Sequence, residues 1–402
     1  MGAIRRSARS AVHAALAAAL LAATNCGAGG DGAPDVPVPP ADRYLSAGPH
    51  AAGYLELALA DASRPTPPHG SHAGFPDRRI RTLVWYPATA TQTADPLAER
   101  PDAEAAPGGP WPLVVYCHGF MSSGRENAQL AAQLATRGFV VAAVEFPLTG
   151  MTSPGGATVE DTVNEPADVR FVIDRLIASS ADPAHRLHGT IDTARIGLAG
   201  VSLGGFVAVA TALYPSERDV RVRAVAAAAV PGCDMPPGTL APVRLPVLLL
   251  HGTQDDVIYY PENAVAAFEA VTGPRWLVTL AGGTHAGMAG LATELLSMAG
   301  NTDDISCTSM RANGTVTAAA LARMATTFGA DPASVAGCTV PCTLPVTMTP
   351  GMDPARQVRM VRLAMVAFLE AFVAGDDGSG EAFLDRGVAA EGADVTVRTG
   401  PR

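Results

Sequence analysis

Residues Ile196 to Phe206 read IGLAGVSLGGF. An apolar run with strand character ends in Gly200-Val201-Ser202-Leu203-Gly204-Gly205 and passes directly into residues with helical patterning. Glycine two places before and two places after a serine is the G-x-S-x-G pattern of a strand-to-helix turn too tight to accept larger side chains there. Such a turn lifts the serine hydroxyl clear of the end of a sheet. The same residues also suit an ordinary turn whose serine caps the helix. The flanking chain decides between the two readings.

Working outward, short continuous apolar runs alternate with helical patterns. Leu113 to Cys117, Val140 to Phe146, Val222 to Val230, Val247 to His251 and, as the last strand, Arg275 to Leu280 read as strands buried on both faces. Between and after them Asn127 to Arg137, Pro166 to Ser179, Gly204 to Tyr214, Pro261 to Val271 and Asp353 to Gly375 read as helices. This rhythm predicts an α/β fold with a mostly parallel sheet and helices on both faces. Gly53 to Ala60 and Arg79 to Tyr86 have no helix between them, so the sheet is expected to start antiparallel. Residues 88–110 read as a surface excursion. Gly290 to Met352 breaks the rhythm and is read as an insertion, a lid or a stapled decoration, within a single domain spanning 43–402.

The chain has 402 residues, 48% of them hydrophobic, enough to bury a substantial core. Its net charge of −10 argues against nucleic acid as a partner. Arg5, Arg6 and Arg9 precede a run of 13 mainly apolar residues, Ala11 to Ala23. That is short of the ~20 residues needed to span a bilayer, so residues 1–26 read as a signal peptide. The ending Ala23-Thr24-Asn25-Cys26, followed by a Gly/Pro-rich linker over 27–42, resembles a bacterial lipoprotein signal that would lipidate Cys26. Plain secretion is the alternative, and a lipid at Cys26 would be the only membrane attachment. Export permits disulfides. Cys117 lies inside the apolar run LVVYC and reads as a buried free thiol. Cys233, Cys307, Cys338 and Cys342 allow three pairings; the favoured picture has the last three stapling the insertion and Cys233 tying it to the core. A metal site is disfavoured, since no histidine lies near Cys338 and Cys342.

In open α/β sheets ligands bind beyond the carboxyl ends of the strands. Three such places carry chemistry. His251-Gly252-Thr253-Gln254-Asp255-Asp256 follows one strand and Gly282-Gly283-Thr284-His285 follows the next. With Ser202 they give the order Ser, Asp, His. Serine is a poor nucleophile at neutral pH and needs an imidazole to take its proton; the imidazole needs a carboxylate to fix its tautomer. Asp255 is preferred as that carboxylate and Asp256 is expected to be a solvated or turn-stabilising neighbour. The third place, His118-Gly119-Phe120, follows the first buried strand. Backbone N–H groups of Phe120 and Leu203 are the expected oxyanion donors, and His118 and His251 are expected to make structural hydrogen bonds.

From Gly53 to Phe383 the sequence resembles bacterial α/β-hydrolases that group with dienelactone hydrolases, plasma-type platelet-activating-factor acetylhydrolases and cutinase-like polyester hydrolases. The resemblance rests on VWYPA (84–88), VVYCHGF (114–120), RGFVVAAVEFP (137–147), EPADVRFVIDRL (165–176), GLAGVSLGG (197–205), LLLHGTQDDVI (248–258) and GGTHAGM (282–288). It implies a carboxylic-ester hydrolase with Ser202, Asp255 and His285 as its triad and with no metal or organic cofactor. Dienelactone hydrolases have cysteine where Ser202 stands, and polyester hydrolases commonly have histidine where Val201 stands. The implied activity is hydrolysis of small or medium esters through an acyl-enzyme. Phospholipid acyl groups and polyesters are the alternative substrates, and an inactive surface binding protein is the alternative of another class. Oligomeric state has no signature in the sequence.

Overall fold

In the computed structural model the described residues are 36–89, 95–235, 238–290, 301–313, 316–346 and 349–401. The chain divides into two units, 1–37 and Val38–Arg402, and everything below concerns the second. The expected signal peptide and Cys26 lie outside the described residues.

Ten strands form one sheet: β1 (Ala51–Asp61), β2 (Arg78–Ala88), β3 (Glu99–Pro101), β4 (Trp111–Cys117), β5 (Val140–Glu145), β6 (Ile191–Val201), β7 (Val222–Ala228), β8 (Val247–Gly252), β9 (Arg275–Leu280) and β10 (Val395–Thr399). Their order is β10-β9-β8-β7-β6-β4-β5-β2-β1-β3. From β5 through β9 every neighbouring pair is parallel. The β1–β2 and β2–β5 pairs are antiparallel, the start that the missing helix between the first two strands implies. Two expectations are corrected. Arg275–Leu280 is not the last strand, because β10 adds antiparallel to its outer edge. The excursion at 88–110 holds β3, which pairs parallel with β1.

Alternation along the strands sorts the core into two layers. Leu113, Val115, Cys117, Ile196, Leu198 and Val225 face one side; Val114, Tyr116, Ala199, Val201, Ala224 and Ala226 face the other. This is the period-two pattern of a pleated strand. Helices cover both sides because each buried strand carries apolar groups on both faces. On the first lie α2 (Glu165–Ala181), α3 (Leu203–Leu213) and α4 (Tyr260–Ala270). On the second lie α1 (Ala128–Thr136) and α7 (Pro354–Leu369). Pro354 opens α7 behind an Asp353 side chain that accepts from the Arg356 N–H, a capped helix start.

The insertion contains two helices that the sequence reading did not mark, α5 (Asp303–Asn313) and α6 (Ala318–Thr327). Leu321, Met324 and Phe328 join the first core layer, with the Phe328 ring 5.2 Å from Phe206 and 5.5 Å from Tyr214. Disulfides Cys233–Cys338 and Cys307–Cys342 select one of the three pairings. The first ties the segment to the β7–β8 connection and the second closes it on itself. Cys117 is a buried free thiol.

Candidate active site

Beyond the carboxyl ends of β4, β6, β8 and β9 the four singled-out loops converge. β6 delivers Ser202 at the entry to α3, with φ 57° and ψ −125°. Few residues other than glycine adopt that conformation. The turn is forced by contact: a Cβ at Gly204 would lie 2.1 Å from the Cys117 carbonyl oxygen, and one at Gly200 2.5 Å from that of Gly204. The Ser202 N–H donates to the Ala228 carbonyl at 2.8 Å, so β7 anchors the strained residue.

His285 joins the serine to the acid. Its Nε2 lies 2.9 Å from Ser202 Oγ and its Nδ1 lies 2.8 Å from Asp255 Oδ2. An ionised carboxylate only accepts, so Nδ1 carries the proton and Nε2 offers its lone pair to the serine hydroxyl. Asp255 is fully engaged. Its Oδ1 accepts from the Val257 and Ile258 N–H groups at 3.0 and 2.6 Å, and His251 Nε2 lies 3.2 Å from Oδ2. Burial alone would raise the Asp255 carboxyl, but the His285 charge and the hydrogen bonds from His251 and His285 outweigh it and hold it well below the usual carboxylate range. Burial alone would lower the His285 imidazole; the Asp255 carboxylate overrides it, so the ring sits above its ordinary value.

The two outlying histidines are structural. His118 Nε2 accepts from the Phe146 N–H at 3.1 Å and Nδ1 donates to the Gly119 carbonyl at 2.8 Å. Burial lowers its pKa to about 4. His251 Nε2 donates to the Ile258 carbonyl at 2.7 Å. Phe120 and Leu203 line the space beside Ser202, and among the described residues neither backbone N–H is engaged elsewhere. The neighbouring N–H of Met121 is engaged, donating to the Thr149 carbonyl at 2.8 Å.

Asp256 departs from one of the two roles expected of it. It is buried rather than solvated, and its Oδ2 accepts from Asn301 Nδ2 at 3.1 Å. Asn301 opens a group that the sequence reading missed. Thr302 Oγ1 lies 2.5 Å from Thr284 Oγ1, and Asp303 accepts from the N–H groups of Asp256, His285 and Ala286 at 2.9, 2.9 and 2.8 Å. Burial, then the Asp255 charge, push Asp303 up to about 6. Glu126 is a third buried carboxyl near the imidazole. It accepts from Tyr116 Oη at 2.7 Å and from the Gly119 N–H at 3.2 Å, and burial raises it to about 7. Nothing in the residue types alone marked these groups: Asp303 lies 47 positions from Asp256, and Glu126, though close in sequence to Gly119, sits among helical residues with no mark of its partner.

Ser202 lines two adjoining cavities. One is walled by apolar groups including Phe120, Leu203, Val257, Met310, Leu321 and Met324. The other is bordered by His285, Glu126, Ser122 and Ser309, and the exposed side chains of Met151 and Ile305 also line it. The insertion contributes to both.

Residues 83–148, from within β2 through the loop after β4 to just beyond β5, match the family model described as platelet-activating factor acetylhydrolase, isoform II. Among solved structures the chain is similar to a ferulic acid esterase from Streptomyces cinnamoneus, at 24% identity and a TM-score of 0.57, over 86% of this chain and 96% of that one. No curated protein matches it. The mixed sheet, the serine turn at the end of β6 and this similarity together show that the chain has the α/β-hydrolase fold.

Proposed function

We propose that the protein is an exported serine hydrolase of carboxylic esters, working through an acyl-enzyme with Ser202 as nucleophile, His285 as base and Asp255 as the orienting acid. One observation carries this reading: the unbroken hydrogen-bonded line from Ser202 Oγ through His285 to Asp255, at 2.9 and 2.8 Å. Matches to an acetylhydrolase family model and to an esterase structure support the ester bond as its target.

In the first half-reaction Ser202 Oγ attacks the ester carbonyl carbon while its proton passes to His285 Nε2. The carbonyl oxygen takes the negative charge and receives the N–H groups of Phe120 and Leu203. Collapse breaks the bond to the alcohol oxygen, which takes the proton from His285 and leaves an acyl-Ser202 ester. Water, deprotonated by His285, repeats the sequence and releases the acid. The alcohol must depart beside the imidazole, so it lies in the cavity that His285 borders. The acyl group then lies in the adjoining, apolar cavity. That cavity favours a small or medium apolar acyl group; a phospholipid or polyester would need the alcohol side, where Met151 and Ile305 are exposed. The two disulfides and the basic-then-apolar leader support export.

A fluorophosphonate probe tests the reaction class. Wild type should be labelled on one serine and Ser202→Ala should not; an unlabelled wild type beside a labelled control esterase defeats the proposal. Hydrolysis of p-nitrophenyl esters should then rise from acetate to hexanoate as methylenes enter the apolar cavity. A preference for acetate alone would reverse the assignment of the two cavities.

A further inference from the structure

We propose that Asp303 is a positioning residue for the reaction: from within the insertion it fixes the acid loop and the histidine loop against each other, so that the insertion completes the triad. The inference rests on the esterase reading above. An aspartate at the first position of a helix ordinarily serves that helix's own N–H groups. Here the three N–H groups that its carboxylate accepts belong to other loops. Oδ2 takes Asp256 and His285 at 2.9 Å each, and Oδ1 takes Ala286 at 2.8 Å.

The side chain has no solvent exposure, and a buried carboxylate is costly unless well bonded. Its neighbours are arranged to aim it. Asn301 Oδ1 accepts from the Asp303 N–H at 2.9 Å, while Asn301 Nδ2 reaches Asp256 and Thr302 reaches Thr284. Three consecutive residues of the insertion thus grip both loops that carry triad members. Gln357 of α7 supports the same place from the other side, donating to the Thr284 carbonyl at 2.6 Å and accepting from the Thr284 N–H at 3.1 Å.

The consequence for the chemistry is positional. His285 is followed only by the single short turn Ala286–Met288, so its backbone is held by what the loop touches. A displacement of about 1 Å at a reacting group costs roughly 100-fold in rate. Removing Asp303 would leave three N–H groups in a buried place without their acceptor. The carboxylate also adds negative charge beside the ring that becomes imidazolium. The other titratable groups facing His285 are Asp255 and Glu126, and His251 faces Asp255 from behind.

Steady-state kinetics of the full chain on p-nitrophenyl acetate, across pH, test this. Asp303→Ala should lower kcat by roughly 100-fold, with KM nearly unchanged. Asp303→Asn keeps one acceptor oxygen and drops the charge. It should lose less turnover, and the acid limb of its kcat/KM profile should move to lower pH. If the alanine variant does not fold, the asparagine variant carries the test, because a role confined to stability would leave that limb in place. Wild-type kcat in both variants, or lost turnover with an unmoved limb in Asp303→Asn, overturns the proposal. A wild type that takes no fluorophosphonate and hydrolyses no ester overturns the esterase reading and this inference with it. That result is distinct from a labelled, active wild type that its Asp303 variants match.

Discussion

At the scale of single residues, two adjacent aspartates have been given different work by their environments. Asp255 meets the imidazole, whereas Asp256 turns to Asn301 and the insertion. Asp255→Asn should therefore lower kcat by about 10⁴, because an amide in that place favours the wrong imidazole tautomer; Asp256→Asn should cost far less. Turnover measured at saturating substrate decides, and the reverse ranking would exchange their roles. The pH profile follows from the histidine. His285 must be neutral to accept the serine proton, and its pKa is held above the ordinary imidazole value. Activity should thus be present at alkaline pH and fall as pH drops through that raised pKa, visible in kcat/KM on a neutral ester. The meeting of Ser202, Asp255 and His285 was legible because each lies in the loop after the carboxyl end of a strand, where the fold exposes side chains to ligand. Asp303 was not. Its partner Asp256 lies 47 positions away, and an Asp-Asp pair opening a helix reads as a capping and dipole feature of that helix.

Among elements, the serine turn is the least tolerant. A methyl at Gly204 would collide with backbone rather than with a movable side-chain tip, so Gly204→Ala should displace the turn and suppress fluorophosphonate labelling along with stability. The strand–helix rhythm was legible wherever strands are buried on both faces. It failed at the edges of the sheet. β3 is three residues of Glu, Arg and Pro, and β10 carries only Val395 buried, with exposed or half-buried neighbours. Neither offers an apolar run. The helices of the insertion escaped for another reason: α6 buries one narrow stripe on the sheet's own helices, and α5 is held largely by polar contacts and a disulfide. Opening Cys307–Cys342, whose cysteines are 35 positions apart, removes a constraint worth ~4 kcal/mol in the chain-entropy account. α5 carries Asp303, so the double serine variant should lose turnover as well as thermal stability. Kinetics and melting on the same sample would show whether the two fall together.

The molecule as a whole combines carboxyls whose contributions to stability run in opposite directions with pH. Asp255 has a folded-state pKa below its unfolded value, so its contribution is present above the ordinary carboxylate range and is lost as pH falls. Glu126 and Asp303 are raised, to about 7 and about 6. Their contributions are complete below the ordinary carboxylate values and are lost as pH rises through those raised pKa values. Denaturant unfolding from pH 4 to 8 should show Glu126→Gln losing part of the decline that wild type shows toward pH 7; parallel curves would contradict the burial of its charge. The backbone at Ser202 has a related cost. A left-handed φ at a non-glycine residue raises the energy of the folded state by ~1 kcal/mol or more, and under the proposed reaction it is chemistry that requires a side chain there. Ser202→Gly should accordingly be inert yet melt above the active protein. Selection for higher thermal tolerance in this scaffold, applied without a screen for hydrolysis, would then tend to discard the proposed nucleophile first.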